Sequence, residues 1–230
     1  MLVNMKINDI DIKDEMNILL LKKHIVNSEI VTNEEWADEW ISPITENQYY
    51  KYTTVVCEFL VEDETRVEEV ISELIKLGSQ AVLEFDDSNI KYKGFISGHD
   101  KELVFTNSYI VKIEWKCGLG YSNEEVMTIS NEDTIILNST ADTPVKLLIM
   151  PDTNISELEI KGFGEDIILS NLVAGKEVII DGEKGLVTEE GQNKFKDYQS
   201  WGFPKLSPGE NEITINPDIN ITAVYSPRWL

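Results

Sequence analysis

Few residues in this 230-residue sequence have the type and spacing that chemistry needs. The two histidines, His24 and His99, stand alone. Neither belongs to a His-x-x-x-His or Glu-x-x-His pattern, and there is no Cys-x-x-Cys, so a zinc site has nothing to build on. No Gly-x-Ser-x-Gly elbow offers a hydroxyl for a histidine to activate. Carboxylates are so abundant that a pair at glycosidase spacing carries no information. Asp86-Asp87-Ser88-Asn89 could offer oxygens to calcium but lacks the alternating ligands, glycine and distal Glu of an EF-hand loop. Lying between the apolar runs Val82–Phe85 and Ile90–Tyr92, it reads as a hairpin turn. Gly162-Phe163-Gly164 is too short for a dinucleotide loop and follows no βαβ pattern. The expectation is no catalytic residue, no metal and no cofactor.

One cluster suits binding better than catalysis. Phe195, Tyr198, Trp201 and Phe203 are interleaved with Lys194, Lys196, Asp197 and Gln199. Aromatic faces beside amides and acids can stack on sugar rings while hydrogen-bonding their hydroxyls. The same rings could instead anchor a long loop on the core or meet a neighbouring subunit. Tyr198 and Trp201 are the candidate contact residues for a glycan or a partner, and both structural readings stay open beside that one.

The elements that would position these residues are mostly strands. Val55, Cys57, Phe59 and Val61 alternate with Thr54, Val56, Glu58 and Leu60, and Tyr109–Trp115 alternates likewise. Short runs recur at Thr134–Leu137, Val145–Met150, Glu157–Ile160, Asp166–Leu169, Glu177–Ile180, Glu212–Ile215 and Ile219–Tyr225, separated by turn residues such as Pro151-Asp152 and Pro208-Gly209. That rhythm predicts a β-sandwich. One segment is helical: Val67, Val70, Ile71, Leu74 and Ile75 fill a single stripe. Thr65 and Glu68 fit a capping box ahead of it, and Gly78 could end it in the left-handed conformation. Asn33–Trp40 is a weaker helical candidate, with Trp36 and Trp40 one turn apart. The expected architecture is mainly β in two domains. Residues 1–117 would form an α+β domain and residues 118–230 an all-β domain, joined at Gly118-Leu119-Gly120.

Composition narrows the partners. With 42 acidic and 20 basic residues, the net charge of −22 opposes direct nucleic-acid binding and attraction to anionic lipid. The charge is spread evenly, since residues 1–117 alone carry 23 acids and 12 bases. The early apolar run Ile18-Leu19-Leu20-Leu21 falls far short of a membrane span, so no membrane insertion is expected. No basic-then-apolar leader opens the sequence. Cys57 and Cys117 read as buried free thiols in a reducing cytoplasm, although the sequence leaves a pairing between them open.

The C-terminal third carries a resemblance. Val178-Ile179-Ile180-Asp181-Gly182-Glu183-Lys184-Gly185 is followed by Phe203-Pro204-Lys205-Leu206-Ser207-Pro208-Gly209-Glu210-Asn211-Glu212-Ile213-Thr214-Ile215 and by Val224-Tyr225-Ser226-Pro227-Arg228-Trp229-Leu230. In order and spacing these resemble the distal tail protein (Dit) family of tailed bacteriophages, the siphovirus-type tail components. Upstream, Leu137–Val145 resembles the entry to that family's second domain, with Ser139-Thr140 where glycine is common. The strand, helix and hairpin between Phe59 and Phe95 resemble its first domain.

The resemblance implies a tail-tube-like, ring-forming N-terminal domain and a galectin-like C-terminal β-sandwich. It implies a homo-hexameric virion ring at the tail tip or baseplate, assembled in the host cytoplasm. Such a ring joins the tail tube protein to the hub, fibre or tail-associated lysin, and in some members to receptor-binding proteins. The motif residues themselves read as fold-specifying: Pro208 and Gly209 set a turn, and Asn211 can bond nearby backbone. The alternative function is a carbohydrate-binding module for host cell-wall glycan. If six copies surround a DNA channel, inward-facing acids among residues 1–117 would let DNA pass without sticking.

Overall fold

The computed structural model describes residues 3–35, 44–62 and 64–230. Two compact units divide the chain, Met1–Tyr121 (with Leu230) and Ser122–Trp229.

The first unit is built on one antiparallel sheet. Its strands are β1 (Met5–Ile7), β2 (Ile10–Asp11), β3 (Leu19–Val26), β6 (Thr53–Val61), β7 (Ala81–Phe85), β8 (Tyr92–Phe105) and β9 (Ser108–Cys117), in the order β2-β1-β7-β8-β9-β6-β3. Strands β4 (Ile30–Glu35) and β5 (Ile44–Tyr50) form a separate hairpin. The alternation expected for β6 is realised along its whole length, with Val55, Cys57, Phe59 and Val61 buried and the intervening residues half-exposed. On the neighbouring strand β9, Val111, Ile113 and Trp115 sit directly opposite Phe59, Cys57 and Val55 and are buried in the same core.

The short helix α1 (Ile12–Met16) is opened by Asp11, whose carboxylate accepts from the Lys13 and Asp14 amides at 3.1 and 3.0 Å. The long helix α2 (Val67–Gly78) buries Val67, Val70, Ile71 and Leu74 in the same core. Its ends differ from the sequence expectation. A 3₁₀ turn (Glu64–Arg66) precedes it, and the residue at the N-cap position is Arg66, not Thr65, and makes no side-chain cap bond. Gly78 does not terminate the helix in the left-handed region; Ser79, the C-cap, is right-handed. Of the weaker helical candidate, Asn33–Glu35 lies in β4, and Trp36–Trp40 lies outside the described residues. The segment Asp86–Asn89 is the turn between β7 and β8, and Asp87 pairs with Lys23. Strand β10 (Gly120–Tyr121) closes the unit, Tyr121 exchanging backbone hydrogen bonds with Lys91.

The second unit is a β-sandwich around one core. Its first sheet runs β11 (Glu125–Ile129), β22 (Ile221–Tyr225), β13 (Thr143–Ile149), β16 (Val178–Asp181), β17 (Leu186–Glu189) and β18 (Gln192–Asn193), with β20 (Lys205–Leu206) beside β13. The second sheet runs β12 (Glu132–Leu137), β21 (Gly209–Asn216), β14 (Ile155–Lys161), β15 (Ile167–Leu172) and β19 (Tyr198–Gln199). The terminal strand β23 (Arg228–Trp229) lies beyond β22, and Arg228 bridges to Ala141. All the pairings of both sheets are antiparallel, and the inward residues of each strand alternate with outward ones, as in β13 and β21.

The three C-terminal motif segments converge in this sandwich. Gly182 sits where a Cβ would lie 2.2 Å from the Pro204 carbonyl oxygen and 2.7 Å from that of Val145, so only glycine fits. Val145 donates to that Pro204 oxygen at 2.9 Å, and Gly182 donates to Val145 at 2.9 Å. Asp181 caps the following turn, accepting from the Glu183 and Lys184 amides. From the terminal segment, Arg228 pairs with Glu183 at 2.7 Å, and its amide donates to the Thr143 hydroxyl. Asn211 accepts from the Ser207 amide at 3.0 Å and donates to the Ser207 and Gly209 carbonyls at 2.9 and 3.1 Å, which fixes the Pro208-Gly209 turn.

Candidate interaction site

The aromatic cluster follows β18 and spans a 3₁₀ turn (Phe195–Asp197) and β19. What holds this loop is a buried lysine. Lys194 is 5% exposed, and its ammonium donates to the Asn171 carbonyl at 2.8 Å and lies 3.2 Å from Asp197. Glu189 is 3.1 Å away, close enough for an ion pair but not aligned as a hydrogen bond. The Asn171 amide donates to Asp197, and this bond, helped by Lys194, holds the Asp197 carboxyl below its ordinary value of 3.8. A buried cation is retained only where such partners surround it.

The four rings divide into two kinds. Tyr198 is 7% exposed, stacks on Phe203 at 5.6 Å with an interplanar angle of 15°, and donates its hydroxyl to the Gly202 carbonyl at 2.6 Å. Phe195 lies 5.9 Å from Tyr198 and 6.2 Å from Phe203 and is half-exposed. These three anchor the loop. Trp201 is 100% exposed. It borders an open concavity of about 640 Å³ together with Gly164, Glu165, Asp166, Gln199 and Ser200.

The structure therefore brings Tyr198 and Trp201 to one concavity but gives them different duties. Tyr198 is a floor residue whose hydroxyl is already engaged, and Trp201 is the available platform. Glu165 and Asp166 come from the turn after β14 and were not among the sequence candidates. Nothing in two acids within so acidic a chain marks them out; only the pairing of β15 with β19 brings that turn beside the loop.

The residues weighed for chemistry are dispersed. His24 is exposed on β3 and His99 is exposed on β8. Cys57 and Cys117 are both buried free thiols on the inner face of the first unit. Burial raises both thiol pKa values, that of Cys117 from 9.0 to about 12. Among the described residues, no group of three His, Cys, Asp or Glu could hold a metal ion, and no helix is long and apolar enough to cross a membrane.

Comparisons with known proteins agree with this fold. Residues 138–229 match the family model of the siphovirus-type tail component, C-terminal domain. The chain is similar over 100% of its length, and 100% of the other's, to the crystal structure of the Dit protein (gp 19.1) of phage SPP1, with a TM-score of 0.80 at 13% identity. Two structures of the phage P2 baseplate in its activated conformation, one with Ca and one with Sr, match with TM-scores of 0.56 and 0.54, at 7% and 9% identity, over 99% of both chains. No curated protein matches at comparable significance. The matched stretch, residues 138–229, holds the convergent Gly182, Pro204, Asn211 and Arg228 contacts described above, so the similarity to the siphovirus-type tail component rests on this domain.

Proposed function

We propose that the chain is a structural component of a phage tail tip or baseplate, forming a homo-hexameric ring that joins the tail tube to a hub, fibre or receptor-binding protein. The observation that carries this is the tail-component domain at residues 138–229 within a chain whose whole fold is similar to SPP1 Dit. That protein is described as a paradigm of the hub adsorption apparatus in phages infecting Gram-positive bacteria. In this reading residues 1–117 build the ring and residues 118–230 form a galectin-like outer domain. The particle is assembled in a reducing host cytoplasm, and the acids of residues 1–117 give the DNA channel an acidic lining. The chain acts by assembly rather than catalysis, without metal or cofactor.

The long β8–β9 hairpin supports an assembly role. Leu103 and Phe105 at its tip are 59% and 73% exposed. Apolar side chains presented on a projecting hairpin suit the heterologous contacts that close a ring. Sedimentation velocity and negative-stain imaging test the reading. Hexamers or ring-shaped particles are expected, and a persistent monomer at tens of micromolar, even with the tube protein added, would overturn it.

A second reading is favoured by one observation, the complete exposure of Trp201 beside Glu165, Asp166 and Gln199. An indole platform flanked by carboxylates and an amide suits a glycan ring and its hydroxyls. Binding of host cell-wall glycan that is lost in Trp201→Ala, with the fold intact, would support it. An unchanged glycan profile would assign Trp201 to a protein contact instead.

A further inference from the structure

The first unit contains an aromatic and basic groove that none of the features above uses. It is an open concavity of about 550 Å³ lined by Tyr50, Lys51, Tyr52, Lys93, Phe95 and Lys116, among others. The strand pairings Thr53↔Cys117 and Phe95↔Lys116 bring these residues together at one corner of the sheet. Tyr50, Tyr52 and Phe95 are 44%, 50% and 54% exposed, so three aromatic side chains stand half in water on one patch. Grouped exposure of this kind marks an interaction surface, and aromatic residues are enriched at the cores of such surfaces.

The charge of the groove runs against that of the chain. Three lysines converge on it in a protein with 42 acidic and 20 basic residues. Lys51 is paired with Glu29 at 2.9 Å. The Lys116 ammonium lies 4.5 Å from the centroid of the Tyr52 ring. Among the described residues, neither Lys93 nor Lys116 has a carboxylate partner, although Lys22, Lys23, Lys91 and Lys101 in the same unit each have one. Gly94, on the groove wall, is paired on both sides, with Ala81 of β7 and Cys117 of β9. What the groove offers a partner is its rings and ammonium groups.

We infer that this groove receives the acidic surface of a second copy of the chain, the aromatic rings burying apolar stems while Lys93 and Lys116 pair with its carboxylates. The argument for a second copy is charge complementarity: every copy that approaches presents a surface with a net charge of −22, and this groove is a place where that surface is attracted. The inference rests on the ring reading, to which it adds a defined contact.

The test uses the full chain in sedimentation velocity at low and high salt. Charge pairing across the groove should weaken as the screening length shrinks from about 10 Å at ~0.1 M to about 3 Å at ~1 M. The double variant Lys93→Glu with Lys116→Glu should weaken self-association about tenfold or more at low salt and blunt its salt dependence. A control, Lys13→Glu with Lys76→Glu, changes net charge equally at exposed positions outside the groove and should stay within about twofold of the parent. Lys93→Gln with Lys116→Gln, milder for folding, should give a smaller loss in the same direction, and circular dichroism monitors the fold of each. If the groove variants assemble like the parent, with the same salt dependence, the inference is overturned and the ring reading stands. A parent chain that is monomeric under all conditions overturns both.

Discussion

The indole of Trp115 on β9 lies against the backbone of Gly78 in the last turn of α2: a Cβ built on Gly78 would come within 2.9 Å of Nε1 and within 2.7 Å of Ile96 Cδ1. Two effects compete at this position. Alanine would gain about 1 kcal/mol in helix propensity over glycine. Overpacking a core costs about 1–3 kcal/mol, and Trp115, fully buried, has nowhere to retreat. Packing should win. Gly78→Ala is expected to lower stability by roughly 1 kcal/mol, measured by urea unfolding, and Gly78→Val by more. An alanine variant more stable than the parent would show that α2 can shift away from β9.

The helix shows what the sequence can and cannot express. The stripe Val67, Val70, Ile71 and Leu74 is legible because burial on one side repeats with the helical period, and all four are buried. The role of Gly78 is not legible, because it depends on a tryptophan on another strand. A glycine at a helix end looks like a terminator whether it turns left-handed or only makes room. The same limit applies to the strands. β6, β13 and β21 alternate along their length and are readable, whereas β1 has three residues and β11 has an irregular burial pattern. In the aromatic loop, four rings look equivalent as letters. The hydrogen bond from Tyr198 to Gly202 and the burial of Lys194 separate floor from platform, and neither is visible before the loop is folded.

Asn211 offers a sharper test of the motif residues. Its side chain accepts once and donates to two carbonyls of the Ser207–Gly209 turn, and it is 8% exposed. Asn211→Ala leaves these backbone groups short of partners, at about 1–3 kcal/mol for each one stranded away from water. The expected loss is about 2–3 kcal/mol by thermal or urea unfolding. Asn211→Asp keeps the acceptor but turns a negative charge toward two carbonyl oxygens, so it should not rescue. A neutral outcome for both would mean that Gly209, at φ +96°, sets the turn alone.

Tyr198 and Trp201 should respond oppositely to truncation. Tyr198→Ala removes a ring stacked in the loop's aromatic core and is expected to cost about 3–5 kcal/mol. Trp201→Ala removes a ring in full contact with water and should change stability by no more than about 0.5 kcal/mol. Tyr198→Phe, which loses only the bond to the Gly202 carbonyl, should fall between them at about 1 kcal/mol. Equal losses for the two alanine variants would contradict this division of roles.

The buried thiols set an alkaline limit. Desolvation raises the pKa of Cys57 and Cys117, so the folded state favours the neutral thiol more than the unfolded state does. The stabilisation is complete below the ordinary value of 9.0 and is lost as pH rises above it; for Cys117 the loss continues to about 12. The unfolding free energy should fall above pH 9 by up to about 1.4 kcal/mol per pH unit for each thiol. Native protein should also resist an aromatic disulfide reagent that titrates both thiols once urea is added. Rapid modification of either cysteine in the native state would contradict its burial.

The β8–β9 tip separates folding from assembly. Leu103 faces Tyr109 and Phe105 faces Ser108 across the hairpin, and Asn107 makes the turn at φ +64°. Because Leu103 and Phe105 are mostly in water, replacing both with Asp should shift monomer stability by no more than about 0.5 kcal/mol. If the tip is an anchor in the ring, the same change desolvates two carboxylates against an apolar partner surface. Anchor positions of this kind cost 2 kcal/mol or more when lost, roughly a thirtyfold weakening per contact, and a closed ring repeats the loss at every interface. Sedimentation of the double variant should therefore show monomers at concentrations where the parent forms rings, with an unchanged melting temperature for the monomer. Rings that persist at the parent's concentration would move the assembly contact away from the hairpin tip.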